Sequence, residues 1–460
     1  MRISEKVAGF ICRDRHYGED INNVAIRCFL DSFGCMLLGC TQRTPLSAIN
    51  YVRKLSGKSQ STVYCRKPFK TDMENAAFVN AISAHDCDYD DMTIAGCGHP
   101  SIPVFPVILS MGEAMHKSGV EMLDAYITGM EVSMRMGYGL GVKNLNPAWN
   151  PTTVFGIFGA TAAAARLLDL DMEHTCSALG IASCEAGGTK GNYGTGAKNI
   201  TVGHLCMKGI RCAGLAKEGI LSSYDVFESI NGFVSCFTKK FDMDMVLGAF
   251  DCKESFLFTP GIIQKPYSTC RSNHNAIDGA IWMYDTPGFS FDKVDYVECY
   301  MDSAALRLDT YRIPENTEQA KFSTAYCIAL SLIYGDMKTE YFLDEAGIDE
   351  TAKNFINRIY IYEKNDFCSS SNFASYLKVY FKDGTYLDYM GENAKGERTK
   401  TLMQSEQYEK FSDCLSHLFN KKETQEIYNC LSRFWDCTDF NSVNDMILEY
   451  LADISRKEKR

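Results

Sequence analysis

The fold class that the sequence predicts is mainly α: a large helical domain formed from both chain ends, with a smaller α+β domain inserted. Three observations predict it. Apolar residues recur at helical spacing through residues 1–258. Alternating apolar and polar residues, typical of strands, are concentrated in residues 259–401. Helical spacing returns in residues 402–460, so the two helical stretches are expected to form one domain.

The first stretch has the clearest helical patterns. Residues 20–40 place Cys28, Phe33 and Leu37 on one apolar face, which predicts an amphipathic helix. Residues 154–170 contain Gly156, Gly159 and a run of alanines. Small side chains let helices approach closely, so we expect this helix deep in the bundle. Further helices are predicted over residues 75–85, 103–117 and 202–219.

The inserted stretch contains a hairpin pattern. Leu377, Val379 and Phe381 alternate with more polar residues, and Asp383-Gly384 separates this run from a second one that ends near residue 390. Asp-Gly between two such runs favours a type I′ turn. Other strands are predicted near residues 294–298 and 359–362, with helices over 273–284 and 318–333. This mixture predicts an α+β domain.

Composition limits the classes of function. The chain has 460 residues, more than one ordinary core holds, and a net charge of -11. Acidity disfavours nucleic acid and anionic membranes as partners, so an anionic substrate would need local cations. The N-terminus lacks the apolar core of a signal peptide, and no run of about 18 apolar residues occurs. We therefore expect no membrane span and a cytoplasmic location.

The cysteines fit the same location. The chain has 20 of them and no Cys-x-x-Cys pair. Secreted disulfide scaffolds are small and rich in loops, unlike this chain. Several cysteines lie in apolar periodic stretches, namely Cys28, Cys176, Cys327 and Cys430. We expect reduced cysteines that are buried as small hydrophobic residues.

The densest group of chemically active residues lies between residues 85 and 99. It contains His85, the carboxylates of residues 86, 88, 90 and 91, and His99 in a Gly-His-Pro-Ser loop. Clustered carboxylates shift one another's pKa values, and a loop histidine can present its imidazole to a ligand. A solvated acidic loop with a capping serine is the alternative interpretation.

Two further segments supply cations. The glycine-rich residues 187–203 include Lys198 and lead into a helix, as an anion cradle does, although neither a Walker A motif nor a dinucleotide fingerprint is present. Residues 264–274 hold Lys265, Arg271 and His274, which suit carboxylate binding. The alternatives are a solvated lysine in the first segment and a basic interdomain linker in the second.

Together these segments resemble the MmgE/PrpD family, which includes 2-methylcitrate dehydratase, cis-aconitate decarboxylase and iminodisuccinate epimerase. The resemblance covers nearly the whole chain. It rests on Leu30-Asp-Ser-Phe-Gly-Cys35, the run from Ala77 to His85, Asp88-Tyr-Asp-Asp91, Lys265-Pro-Tyr-Ser-Thr-Cys-Arg-Ser-Asn-His274 and Ala320-Lys-Phe-Ser323. The combination is specific to the family and unspecific within it.

The resemblance implies a lid-like α+β insertion, a homodimer, and catalysis on a small di- or tricarboxylic acid without a metal or an organic cofactor. Four residues match polar positions of the family's pocket and are the catalytic candidates: Asp88, His99, Lys198 and Lys265. The substrate-binding candidates are Thr93, Asn150, Arg271, His274 and Tyr326, the last by its match to a lid residue.

The sequence departs from the family pattern at three places. Met92 stands where many members have threonine, and the spacing from Asp88 to His99 is one residue longer than usual. Thr93 is therefore a candidate for the threonine role, and the assignment stays open. Asn150-Pro151 replaces a frequent His-Pro, and asparagine cannot carry a proton at neutral pH. These changes leave the general chemistry in place and put the family's usual substrates in question.

The expected chemistry is proton transfer beside a carboxylate. Lys198, Lys265 and Arg271 hold the carboxylates of the substrate, His99 moves the proton, and Asp88 orients His99 or acts as the base. Loss of a β-hydroxyl makes the enzyme a dehydratase and loss of carbon dioxide a decarboxylase. Return of the proton to the other face makes it an epimerase or isomerase.

Two other functions stay open. A metal-dependent phosphohydrolase of all-helical type would use His85-Asp86 as adjacent ligands, with His99 as a third. A non-catalytic scaffold or degenerate family member is favoured by Met92 and Asn150. His204 and Lys321 are predicted to have structural roles, because each lies at or near the start of a predicted helix.

Overall fold

The computed structural model describes residues 1–96, 98–141, 144–367 and 373–457. It is mostly helical, with 57% helix and 9% strand, which confirms the mainly α class. The helices are α1 Ile3–Ile11, α2 Glu19–Gly39, α3 Arg43–Val52, α4 Met73–Asp86, α5 Phe105–Ala114, α6 Gly119–Leu140, α7 Pro151–Leu167, α8 Met172–Glu185, α9 Gly196–Lys217, α10 Phe233–Phe237, α11 Met243–Asp251, α12 His274–Tyr284, α13 Ser303–Leu306, α14 Thr317–Ala320, α15 Thr324–Tyr334, α16 Glu350–Phe355, α17 Gln404–Ser416, α18 Lys421–Leu431 and α19 Asn441–Lys457. The strands are β1 Ser61–Val63, β2 Phe69–Thr71, β3 Val294–Met301, β4 Ile359–Glu363, β5 Ser375–Phe381 and β6 Tyr386–Gly391.

The larger hydrophobic core is built around closely packed helices. The predicted small-residue helix is α7, and its alanines are buried. A Cβ atom on Gly159 would lie 2.6 Å from the carbonyl oxygen of Gly129 in α6, and one on Gly129 would lie 2.8 Å from that of Gly159. Glycine at both positions is therefore required for the backbones of α6 and α7 to meet.

The C-terminal helices pack on the N-terminal ones in the same core. Phe411 and Cys414 of α17 lie against Gly34 of α2, where a Cβ atom would be 3.4 Å from either side chain. Lys410 forms a buried ion pair with Asp31, with 2.6 Å between Nζ and Oδ1. One hydrophobic cluster thus contains residues from both ends of the chain.

A second hydrophobic cluster lies under a four-stranded sheet of order β4-β3-β5-β6. β3 and β4 are parallel, and the other neighbours are antiparallel. Ile277 of α12 and Leu330 of α15 pack with Val297 and Leu377 of the sheet in this cluster. Helices and a small sheet therefore share one core, as expected for an α+β segment.

The β5–β6 hairpin forms as predicted, but its turn differs from the prediction. Phe381 N donates to Thr385 O at 2.8 Å, which leaves a three-residue loop. Gly384 has a φ of 86°, whereas Asp383 is not among the residues with positive φ. A type I′ turn needs positive φ at both central residues, so the prediction of that turn was wrong. Glycine alone takes the left-handed position here.

Helix α2 meets the length and composition of a membrane span, yet 78% of its apolar window is buried inside the protein. A core helix passes the same test, and the packing of α2 against α17 favours that interpretation.

The cysteines differ in their burial. Cys28, Cys176 and Cys327 are buried as expected, whereas Cys430 is half-buried. Among the cysteines that the structure describes, three are exposed, contrary to the expectation of general burial: Cys184, Cys236 and Cys252.

Candidate active site

The site begins where α4 ends. Asp72 caps the start of this helix by accepting a hydrogen bond from Asn75 N at 2.9 Å. At the other end, Lys321 Nζ donates to the carbonyl oxygen of Asp86 at 2.8 Å, so its predicted structural role is observed. Asp88 follows with a φ of 48°, a left-handed conformation that aspartate tolerates better than most residues. The chain therefore turns sharply at Asp88.

This turn brings Asp88 between two lysines that are far apart in sequence. Lys198, in the first turn of α9, forms an ion pair with Asp88 Oδ1. Lys265 Nζ lies 2.9 Å from Asp88 Oδ2 and donates to the Asp88 carbonyl oxygen at 2.8 Å. We call Asp88, Lys198 and Lys265 the Asp88 cluster. It contains two cations and one carboxylate, which leaves one positive charge unmatched within it.

The Asp88 cluster is almost closed to solvent. The side chains of Lys198 and Lys265 are 6% and 1% exposed, and that of Asp88 is 4% exposed. Burial alone would raise the pKa of Asp88, but the charges of Lys198 and Lys265 hold it well below its usual range. Asp88 is therefore ionised at neutral pH and a weak base while both lysines bind it.

His99 is placed by contacts of its own backbone and of its neighbour. Its backbone N donates to Thr152 Oγ1 at 3.2 Å. Gly98 precedes it with a φ of 72°, and a Cβ atom there would lie 2.5 Å from the same oxygen. Asn150 caps α7 by accepting from Thr152 N at 3.1 Å. Asn150 thus acts on His99 through Thr152.

The imidazole of His99 meets a carboxylate that a second histidine shares. His99 Nδ1 lies 2.8 Å from Asp90 Oδ2, and His85 Nδ1 lies 3.0 Å from the same oxygen. The two rings meet edge to face, with 4.7 Å between centroids. Asp90 and His85 are fully buried, whereas the side chain of His99 is 16% exposed. We call His85, Asp90 and His99 the Asp90 cluster.

The charges in the Asp90 cluster follow from burial and hydrogen bonding. Burial lowers the pKa of His85 to about 4, more than the attraction of Asp90 raises it. Burial would raise the pKa of Asp90, but His85 and His99 hold it well below its usual range. At neutral pH the cluster therefore contains an ionised Asp90 and an uncharged His85.

The ligand pair expected for a metal hydrolase does not converge. His85 contacts Asp90, whereas Asp86 Oδ1 accepts from Asn199 Nδ2 at 2.9 Å. Potential ligand atoms of His85, Asp90 and His99 do lie within 4.8 Å of one another. Ligands of a tetrahedral zinc ion stand roughly 3.3 Å apart. His85 Nδ1 and His99 Nδ1 both lie closer than that to Asp90 Oδ2, at 3.0 and 2.8 Å. These distances are typical of hydrogen-bonding partners, not of two ligands of one zinc ion.

Thr93 and Met92 tie this loop to the segment before Lys265. Thr93 Oγ1 donates to Gly261 O at 2.9 Å. Met92 and Ile263 exchange both backbone hydrogen bonds, at 2.8 and 2.9 Å. The observed contacts of Thr93 hold the loop in place, and its role towards a substrate stays a prediction.

The remaining substrate-binding candidates have other partners in this structure. Arg271 forms a buried ion pair with Glu397, and burial lowers the pKa of Arg271 to about 10. His274 Nε2 lies 3.3 Å from Thr269 O, and burial holds its pKa well below the usual range. Tyr326 is buried in the second hydrophobic cluster, where its hydroxyl accepts from Asp349 N at 2.9 Å.

Sequence reasoning missed the role of Asp90. The residue was part of the acidic run, but nothing distinguished it from its neighbours at positions 86, 88 and 91. The available signal was the pair His85 and Asp90, one at the end of α4 and the other in the turn that follows. His204, predicted to be structural, stacks on Phe78 with 5.2 Å between centroids.

Two models of one protein family together match most of the chain. The MmgE/PrpD N-terminal domain model matches residues 2–246, and the C-terminal domain model matches residues 267–433. The cis-aconitate decarboxylase of Mus musculus is 24% identical over 453 residues, which cover 95% of this chain and 91% of that protein. That of Homo sapiens is 24% identical over 434 residues, 92% of this chain and 89% of that protein. That of Aspergillus terreus is 29% identical over 180 residues, 37% of this chain and 36% of that protein.

Proposed function

Because the chain belongs to the MmgE/PrpD family, we propose that it is a cofactor-independent lyase that acts on a small di- or tricarboxylic acid. The reaction is a proton transfer beside a carboxylate. The observation that carries this proposal is the proximity of two clusters: a buried pair of lysines with one carboxylate between them, and a histidine held by a second carboxylate two residues further on.

In this proposal the Asp88 cluster binds the substrate. Its unmatched positive charge attracts one substrate carboxylate, and the low-polarity surroundings strengthen that attraction. A carbanion formed next to a carboxylate spreads its charge onto the carboxylate oxygens as an enediolate. Lys198 and Lys265 stabilise this charge as it develops, which is normally a large contribution to catalysis.

His99 is the proposed acid–base residue. It is the most exposed member of the two clusters. Asp88 had been an alternative base, but a carboxylate whose pKa is held well below its usual range by two lysines accepts protons poorly. We therefore assign Asp88 the role of arranging the lysines and His99 the proton transfer.

Decarboxylation and dehydration are the reaction types that we propose first. In decarboxylation the carbon–carbon bond to the leaving carboxylate breaks, its electron pair stays on carbon, and His99 delivers a proton there. In dehydration His99 removes the proton, the carbon–oxygen bond breaks, and His99 gives that proton to the departing hydroxide, so that water leaves. Two relatives match more than nine-tenths of this chain, and both are named cis-aconitate decarboxylase, which favours decarboxylation. Epimerisation of a dicarboxylate is the alternative, in which the proton returns to the opposite face.

We also propose that residues 259–401 act as a lid over the helical residues 1–258 and 402–460. The two hydrophobic clusters support this division. Lys265 lies on the segment that enters the second cluster, so lid opening would separate it from Asp88 and admit the substrate. A homodimer, a cytoplasmic location, and the absence of nucleic-acid and membrane partners belong to the same proposal.

The test is proton NMR in D2O on EDTA-treated protein with 2-methylcitrate, citrate, cis-aconitate, tartrate, malate, and related amino and imino diacids. We expect loss of carbon dioxide or water from one of them, with solvent deuterium beside a carboxylate. His99→Asn should abolish turnover with the fold intact, whereas the control His204→Asn should retain it. Silence across the panel, with activity only on a phosphoester after a divalent metal is added, would contradict the proposal and favour the hydrolase.

A further inference from the structure

We propose that Asp90 is a positioning residue that fixes the orientation and tautomer of His99, and that the buried His85 holds Asp90 in place for this role. The inference rests on the proposed function only where it calls His99 the acid–base residue. The arrangement itself is a property of the folded protein and is testable without a substrate.

The geometry of the Asp90 cluster carries the first step. His99 Nδ1 and His85 Nδ1 lie 2.8 and 3.0 Å from one oxygen, Asp90 Oδ2. An ionised carboxylate offers only lone pairs, so a ring nitrogen this close to it is favoured with a proton, at Nδ1 of both rings. In uncharged His99 this leaves Nε2 without a proton and able to accept one. The opposite tautomer would place a lone pair against a negative oxygen.

The backbone contacts of His99 explain why this orientation is unique. Thr152 holds the His99 backbone N, and Gly98 has no side chain that would displace the loop from Thr152. Backbone and Nδ1 are thus fixed independently, one by α7 and the other by Asp90. Such double restraint is what an acid–base residue needs to keep its reacting nitrogen in place.

His85 carries the second step. It is fully buried, and its Nε2 has no hydrogen-bond partner among the residues that the structure describes. Its observed polar contact is with Asp90. Its Nδ1 lies 3.1 and 3.0 Å from the two oxygens of Asp90, so it restrains the carboxylate from inside the protein. His85 therefore fixes the plane of Asp90, and with it the position of the oxygen that faces His99.

Other charged groups lie near the Asp90 cluster. Asp88 interacts electrostatically with both histidines. Lys198 lowers the pKa of His85. Substitutions in the Asp90 cluster leave these groups unchanged, so changes in the His99 tautomer report on Asp90 and His85.

Asp91 provides a matched control for Asp90. It is the next residue and is equally buried, but it accepts from the backbone N of Ser101 at 3.2 Å and from the hydroxyl of Ser101. Replacement of either aspartate by asparagine keeps the size of a buried side chain in the same loop, but of the two only Asp90 contacts His99. Of the two substitutions, only Asp90→Asn should change the orientation and tautomer of His99.

The experiment is nitrogen-15 NMR of histidine-labelled protein, with the His99 signals assigned by their loss in His99→Asn. In the unsubstituted protein we expect the proton of neutral His99 on Nδ1. Asp90→Asn should mix the two tautomers, because an amide no longer requires a donor at Nδ1. His85→Phe keeps an aromatic edge against His99 but frees Asp90, and should mix the tautomers in part. Asp91→Asn should leave the proton of neutral His99 on Nδ1.

Steady-state kinetics then separates positioning from general structural support. Asp90→Asn should lower kcat by about 100-fold or more, while KM changes less than about twofold because the lysines are intact. Asp90→Glu should restore part of kcat. A proton on Nε2 of neutral His99, or the same tautomer mixture in Asp90→Asn and Asp91→Asn, would overturn the inference. If Asp90→Asn does not fold, the tautomer of His99 in the unsubstituted protein and in Asp90→Glu decides the question: a proton on Nδ1 supports the inference, and a proton on Nε2 overturns it.

The two proposals fail in different ways. A normal turnover rate in His99→Asn, with the expected tautomer observed by NMR, would reject the proposed function and leave the positioning role intact. Loss of turnover in His99→Asn, with the proton on Nε2 in the unsubstituted protein, would reject the positioning role and leave the proposed function intact.

Discussion

Asp88 and Asp90 are two residues apart and equally buried, yet they have different partners. Asp88 lies between two lysines and is ionised because full positive charges surround it. Asp90 lies between two histidines and is ionised because their N–H groups hydrogen-bond to it. The left-handed turn at Asp88 separates the directions of the two side chains. One short loop can therefore serve charge binding with one carboxylate and proton transfer with the other.

Among the substitutions that test this difference, Lys265→Met should have the largest effect on stability and kinetics. It leaves Asp88 buried with one lysine, and removal of one partner from a buried ion pair costs about 3 kcal/mol of unfolding free energy. KM should rise and kcat should fall, unlike in Asp90→Asn, because both substrate binding and charge stabilisation are lost. Urea unfolding and steady-state kinetics measure the two effects.

Lys208→Met is the control for that substitution. Lys208 lies on the same helix as Lys198 and forms a surface ion pair with Glu185, at 2.8 Å between Nζ and Oε2. Surface pairs contribute at most about 1 kcal/mol. Equal losses in Lys265→Met and Lys208→Met would show that the Asp88 cluster has no special role.

Gly98→Ala should have the next largest effect, and it acts on the Asp90 cluster alone. The added methyl group would lie 2.5 Å from Thr152 Oγ1 in a backbone conformation with a φ of 72°. We expect a loss of about 1–3 kcal/mol in stability and a fall in kcat of about tenfold or more, because His99 must move. Gly191→Ala should change neither quantity, because the added methyl group would make only an ordinary contact, 3.8 Å from Thr189 Oγ1. Unchanged kcat in Gly98→Ala would contradict the placement of His99 by this loop.

A pH effect on stability separates Asp91 from Asp90. Burial raises the pKa of Asp91 from 3.8 to about 8, so the folded state binds its proton more tightly than the unfolded state does. Stability therefore falls as pH rises from about 4 to about 8. The lowered pKa of Asp90 has the opposite sign: its contribution is present above about pH 4 and is lost as pH falls further.

Asp91→Asn should remove the first of these two effects. Between about pH 5 and pH 8.5 the unsubstituted protein should lose at least about 1 kcal/mol more unfolding free energy than the variant. Denaturant unfolding at the two pH values measures this difference. The same pH dependence in both proteins would show that Asp91 is already ionised in the folded state.

The sequence was sufficient for the parts of the molecule that depend on local pattern. Helical spacing predicted α2 and α7, and alternation predicted the β5–β6 hairpin. It failed at the hairpin turn, because the preference of Asp-Gly for a type I′ turn does not determine how many residues the closing hydrogen bond encloses. The Phe381–Thr385 pair encloses three.

The candidate site shows the same limit over longer distances. Family resemblance singled out Asp88, Lys198 and Lys265, and the structure brings all three together. It could not distinguish Asp90 from Asp91, because their difference lies in which side chain each meets after the turn. Arg271 suited a carboxylate, but the structure pairs it with Glu397 instead.

Substitutions of Asn150 should give the smallest effect. They test whether Asn150 contacts the substrate or only supports the fold around His99. Its side chain caps α7 and so supports Thr152, which holds His99. Loss of the cap in Asn150→Ala should cost about 1 kcal/mol and lower kcat slightly, whereas Asn150→Ser keeps a capping oxygen and should restore both. KM should be unchanged in either variant. A raised KM in Asn150→Ser, at normal stability, would mean that the amide itself contacts the substrate. Asn150 would then bind substrate as the Asp88 cluster does, and His99 would be supported by Thr152 and Gly98.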